Sequence, residues 1–161
     1  MTKILLSLHV LAAIIAIGPV TVAASMFPPA ARRAVLPVPA GAGGGTDAGD
    51  VGTVRLLHRI CRIYAGLGIA VPVLGFATAA AMGVLGDAWL ITSIALTAAA
   101  AGLLIAFVLP RQEELLEQLT DRQPVERART ARLAMFTGLF NLLWATVTVL
   151  VIVRPGSTTG A

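Results

Sequence analysis

The chain has 161 residues, of which 57% are hydrophobic, 12% charged and 5% aromatic, with a mean hydropathy of +0.88. Soluble domains run about 45–50% apolar and about 25% charged, so the polar residues here are too few to cover a water-facing surface, and an ordinary soluble globule is excluded. The formal charge of +4 gathers in the connections between apolar stretches; there, surplus Lys and Arg marks membrane topology, and no nucleic acid is expected as a partner.

The first apolar segment, residues 4–27 (ILLSLHVLAAIIAIGPVTVAASMF), exceeds the roughly 20 residues that span a bilayer. Pro28 and Pro29 are expected to end it, and Gly18-Pro19 to kink it. The second segment, residues 56–82, places Gly75, Ala79 and Gly83 at four-residue spacing. Such small side chains let another helix backbone approach closely, the main route to helix association in lipid. The third, residues 88–109, follows Gly86-Asp87, carries Trp89 where an interfacial aromatic belongs and is expected to end at Pro110. The fourth, residues 130–153, has Asn141 and Trp144 near its middle and closes at Arg154-Pro155-Gly156.

The connections differ in kind. The short one between the second and third segments predicts an antiparallel hairpin. The stretch 37–52, PVPAGAGGGTDAGDVG, reads as a disordered Gly/Pro/Ala linker. The last connection, Arg111 to Arg132, has Leu115, Leu116 and Leu119 at helical spacing, which predicts a short amphipathic helix that continues the third segment and ends near Pro124. The fold expected is all-α and polytopic: one membrane domain over 1–161, an antiparallel four-helix transmembrane bundle with a short amphipathic cytoplasmic helix.

Orientation follows from the basic residues. Arg32, Arg33, Arg55, Arg59 and Arg62 flank the first connection and Arg111, Arg122, Arg127, Arg129 and Arg132 the third, against Lys3 and Arg154 on the other side, a ratio of ten to two. The positive-inside rule then puts both long connections in the cytoplasm and both termini outside, in the inner membrane of a bacterium. A cleaved secretory signal is the rival reading of the first segment, with Val22-Ala23-Ala24 as its cleavage site. The Arg32-Arg33 flank, which would then have to cross, argues against it.

Ionisable residues within spans are functional candidates because their insertion is costly. His9, about 7–8 Å inside the first helix, can bind heme iron, copper or a proton, or hydrogen-bond a hydroxyl of Thr78, Thr92, Ser93, Thr146 or Thr148 at similar depth. His58 lies at the opposite end of its span, roughly 20 Å away along the membrane normal given a core of about 30 Å, so one ion cannot join the two histidines. With Arg55, Arg59 and Arg62, His58 reads as an interfacial stripe for anionic lipid headgroups or as snorkelling anchors. Asn141 reads as interhelical glue, and Glu113, Glu114 and Glu117 as a solvated face. Cys61, alone in the chain, forms no internal disulfide. No metal-ligand spacing, nucleotide loop, nucleophile elbow or zinc-helix signature occurs, and the apolar segments contain no Asp, Glu or Lys.

The opening LLSLHVLAAIIAIGPV, the Pro-Ala-Ala-Arg-Arg run after it and the closing LFNLLWATVTVLVIVRP resemble a family of small bacterial predicted integral membrane proteins of unknown function. More distantly the chain is similar to the membrane domains of CopD copper-export proteins and HemJ-type heme proteins, which place a His in a similar apolar opening. That resemblance implies heme b or copper at His9; the HemJ-type pattern would add a Lys in the third segment, which here has none. Three functions are thus expected to compete: a non-catalytic accessory or interaction component that meets lipid, other membrane proteins or its own copies; a heme- or copper-handling protein using His9; and a small oligomeric carrier.

Overall fold

The computed structural model describes residues 2–35 and 46–156 and is helical among them apart from short turns. Helices α1 (Thr2–Arg33), α2 (Thr46–Leu67), α3 (Ala70–Met82) and α4 (Ala88–Leu103) are followed by a π-helical segment (Leu104–Val108), α5 (Leu109–Thr120) and α6 (Arg127–Val153). They join into four rods, Thr2–Arg33, Asp50–Met82, Ala88–Thr120 and Arg127–Val153, each long and apolar enough to cross a membrane.

Prolines punctuate these rods without ending them where expected. α1 runs through Pro19, Pro28 and Pro29 to Arg33, so the stop at Phe27 does not occur. An interior proline costs a helix about 3 kcal/mol through a lost bond and a ring clash. Packing opposes that cost in the last two turns, where Phe27, Pro28 and Ala31 are buried and Arg32 Nε donates to Thr130 Oγ1 of α6 at 3.1 Å. Pro72 does break its rod. The Gly68 carbonyl, four residues before it, takes the Val71 N–H instead at 3.1 Å, and α2 gives way to α3 at Gly68-Ile69.

At Pro110 the chain relieves the clash differently. The preceding turn widens, the Leu109 N–H bonding the Leu104 carbonyl five residues back, and the helix continues into α5. The expected amphipathic extension of the third segment is therefore present, burying Leu115 and Leu119, and stops at Thr120.

α2 begins at Thr46, earlier than the expected residue 56, so 46–52 is helix and not linker. Fully buried Val54 anchors the early turns in the core. The rest of the anticipated linker, 37–45, lies outside the described residues.

α1 is central, packing against α2, α3 and α6; α4 packs on α6 and α5 on α2. α3 and α4, joined by the short turn expected of a hairpin, make few contacts with each other, and α3 packs on α1. The core sits in the half nearer the arginine-rich end, built on Phe27, Val54, Val108, Leu115, Leu133 and Phe140.

Candidate functional site

Ligating and titratable side chains gather at the two ends of the rods. At the end opposite the arginines, His9 turns toward α3, as its helical face shared with Ala12, Ala13 and Ala16 implies. Its Nδ1 stands 3.0 Å from the Val71 carbonyl oxygen. A carbonyl only accepts, so this nitrogen is the donor. The ring lies over Gly75, where a Cβ would come within 2.9 Å of His9 Cε1. The spacing leads one to expect another helix backbone at Gly75; the space holds the His9 imidazole.

The hydroxyl partner expected for His9 is absent. Thr78, Thr92, Ser93, Thr146 and Thr148 each donate to the carbonyl four residues back on their own helices, at 2.7–2.9 Å, an economy open to Ser and Thr in helices. The Val71 carbonyl, beside the Pro72 break, takes the imidazole instead. Ala79 is buried as a packing residue. Gly83 is not one: it is the left-handed cap that closes α3, with φ +70° and open space around it. At the same end the Trp89 Nε1–H donates to Asp87 Oδ2 at 3.0 Å, and the Arg154 guanidinium lies 5.6 Å from the indole centroid.

At the other end the structure corrects His58. It does not line a surface stripe with Arg55, Arg59 and Arg62, which are exposed. It is buried, its Nδ1 donating to Gln112 Oε1 at 3.2 Å, while Gln112 Nε2 reaches Cys61 Sγ at 3.6 Å. This trio joins α2 to α5 inside the core, and Gln112 is fully buried. A signal for it existed: His58 falls at offsets of three and four from Cys61 and Val54, and Gln112 from Leu115 and Val108, all inward positions.

Asn141 Nδ2 donates to Ser25 Oγ of α1 at 3.0 Å, the interhelical bond expected of it, while its Oδ1 is buried without a partner. Glu113, Glu114 and Glu117 are exposed.

Two clefts remain. One, of about 130 Å³, is apolar and opens where the α2–α3 break and the π segment face each other, among Tyr64, Pro72, Leu104 and Trp144. The other, of about 480 Å³, lies between α5 and the start of α6, lined by Phe107, Arg111, Glu114, Glu126, Arg129 and Arg132 among others. Among the described residues no three His, Cys, Asp or Glu side chains are grouped to hold a metal ion. No family model matches the chain, and no curated protein or solved structure matches it either.

Proposed function

We propose that this chain is a small integral membrane protein of the bacterial inner membrane, an antiparallel four-helix transmembrane bundle that serves as an accessory or interaction component and performs no chemistry of its own. The observation that carries this reading is the outward direction of its apolar surface. Only 11–22% of the most apolar window in each rod is buried inside the fold, and Ile14, Phe76, Ile105 and Leu142, one from each rod, are 58–64% exposed. In water such a surface would far exceed the few hundred Å² of apolar patch that a monomer tolerates; in a bilayer it faces its own solvent. The polar ends, basic on one side, fit both termini outside and the arginine-rich connections in the cytoplasm.

The interaction role draws support from glycines that the fold leaves unused. Gly18, Gly102 and Gly138 have open space where a Cβ would stand, and small residues on a lipid-facing helix permit close approach by another helix.

A cofactor at His9 has one feature in its favour, because an Nδ1–H held by a backbone carbonyl leaves Nε2 oriented as metal-ligating imidazoles are. The surroundings do not fit. Among the described residues His9 belongs to no group of three His, Cys, Asp or Glu side chains, neither of the two clefts described above is lined by it, and His58 is committed at the other end. His9 is accordingly a clasp between α1 and α3.

Two measurements test the proposal. The chain should remain in the membrane pellet through high salt and alkaline carbonate and be released by detergent; release by carbonate alone would contradict it. The detergent-purified protein should lack a Soret band. A Soret band lost in His9→Ala would replace the accessory reading with the heme one.

A further inference from the structure

The larger cleft combines features that no structural need of the bundle explains. Arg111 is fixed in it: its guanidinium lies 4.4 Å from the Phe136 ring centroid and 5.3 Å from that of Phe107, the two rings stacking at 5.2 Å. Its Nη1 donates to the Phe107 carbonyl at 3.2 Å. Arginine held on aromatic faces is pre-organised, so it loses little freedom on binding an oxyanion. Arg132 lines the same cleft. Among the described residues the one ion pair is that of Arg129 with Glu126, at 3.7 Å, which leaves Arg111 and Arg132 with no carboxylate partner. α6 also begins at the cleft with no side-chain cap on its first turn, adding the partial positive charge of a helix N-terminus.

We propose that this cleft binds the headgroup of an anionic glycerophospholipid, its phosphate bridging Arg111 and Arg132. This rests on the membrane reading above. The charge is matched: three arginines and two glutamates line the cleft, 3 − 2 = +1, which one phosphodiester monoanion neutralises. Glu126 is engaged by Arg129, and Glu114 sits where it can accept a hydrogen bond from a headgroup hydroxyl while disfavouring a second phosphate. The apolar side of the cleft favours a lipid over a soluble phosphate. Phe107 stands on its wall, and on the other rod Arg132 shares a helix face with exposed Met135 and Leu139, at offsets of three and seven, an apolar track that an acyl chain beneath the headgroup would follow. Basic pockets between transmembrane helices on the cytoplasmic side recognise anionic headgroups in this way.

The test uses the full-length protein in nanodiscs made with equal parts phosphatidylglycerol and phosphatidylcholine, followed by detergent extraction and native mass spectrometry of the retained lipid. Phosphatidylglycerol should be retained over phosphatidylcholine. The preference should fall about fivefold for each arginine removed, in Arg111→Gln and Arg132→Gln, as expected of about 1 kcal/mol per basic residue near an anionic surface. The change Lys3→Gln, at an exposed position at the opposite end of the rods, should leave it unaltered. Should Arg111→Gln fail to insert, Arg132→Glu, at an exposed position, carries the test alone. Equal retention of both lipids by the inserted wild-type protein, an unchanged preference in Arg132→Glu, or displacement of the lipid by millimolar inorganic phosphate would each overturn the site. A wild-type chain that does not enter nanodiscs at all would instead overturn the membrane reading.

Discussion

A methyl group at residue 75 and the imidazole of His9 compete for one space, since the added Cβ would stand 2.9 Å from Cε1 and 3.3 Å from Nδ1. Gly75→Ala must therefore displace the ring and its bond to the Val71 carbonyl, or push α3 off α1. Overpacking of this kind costs about 1–3 kcal/mol, so the melting temperature of the detergent-solubilised protein should fall. In a His9→Ala background the same substitution should cost almost nothing, because the clash has gone; neighbours in contact show such non-additivity and distant residues do not. If the two changes simply add, the His9 ring does not rest on Gly75. The sequence disclosed half of this arrangement. The alanines on the His9 face indicate an interface, and Gly75 a close approach, but which acceptor the imidazole takes depends on hydroxyls preferring their own helix carbonyls, and that preference is not written in their positions.

The helical elements show how local rules fared against packing. Four apolar segments are legible because apolar length alone identifies them, whereas the proline stops at Phe27 and Leu109 are not, since a proline's cost of about 3 kcal/mol can be met by burial or by widening a turn. The π segment is the clearer case. Its one extra residue per turn sets the rotation of α5, which aims Gln112 at His58 and Cys61 and Leu115 and Leu119 at the core. Deleting Ala106 should restore the α register and rotate everything after it by about 100°, swinging Gln112 away from α2. The single cysteine makes this measurable. Cys61 and a Gln112→Cys change should be bridged by a short bifunctional thiol reagent in the intact chain, and bridging should be lost in the deletion variant. Equally efficient bridging in both would show that the π turn does not set the phase of α5. The placement of His58 was readable in principle from the inward series Val54, Leu57 and Cys61, but its arginine neighbours carry the stronger surface signal.

For the molecule as a whole the decisive asymmetry is electrostatic. Ten of the twelve Lys and Arg belong to the connections 28–62 and 111–132 or the helix ends beside them, and the structure brings those connections together: Arg32 bonds Thr130 from across the fold, and α5 packs on α2. The opposite end holds Arg154 against Trp89, an aromatic and cationic pair of the kind found at a membrane–water interface. On the membrane reading proposed above, the positive-inside rule puts the arginine-rich end of the chain in the cytoplasm and both termini outside. Single cysteines introduced as Gly44→Cys and Thr159→Cys in a Cys61→Ala background should report it in intact cells, to which an impermeant maleimide has access from the outer side only. Thr159→Cys should label before lysis and Gly44→Cys only after it. Labelling of Gly44→Cys in intact cells would invert the topology. It would also move the Arg111–Arg132 cleft to the outer leaflet, where the surface potential that concentrates basic residues on the cytoplasmic side no longer accounts for its charge.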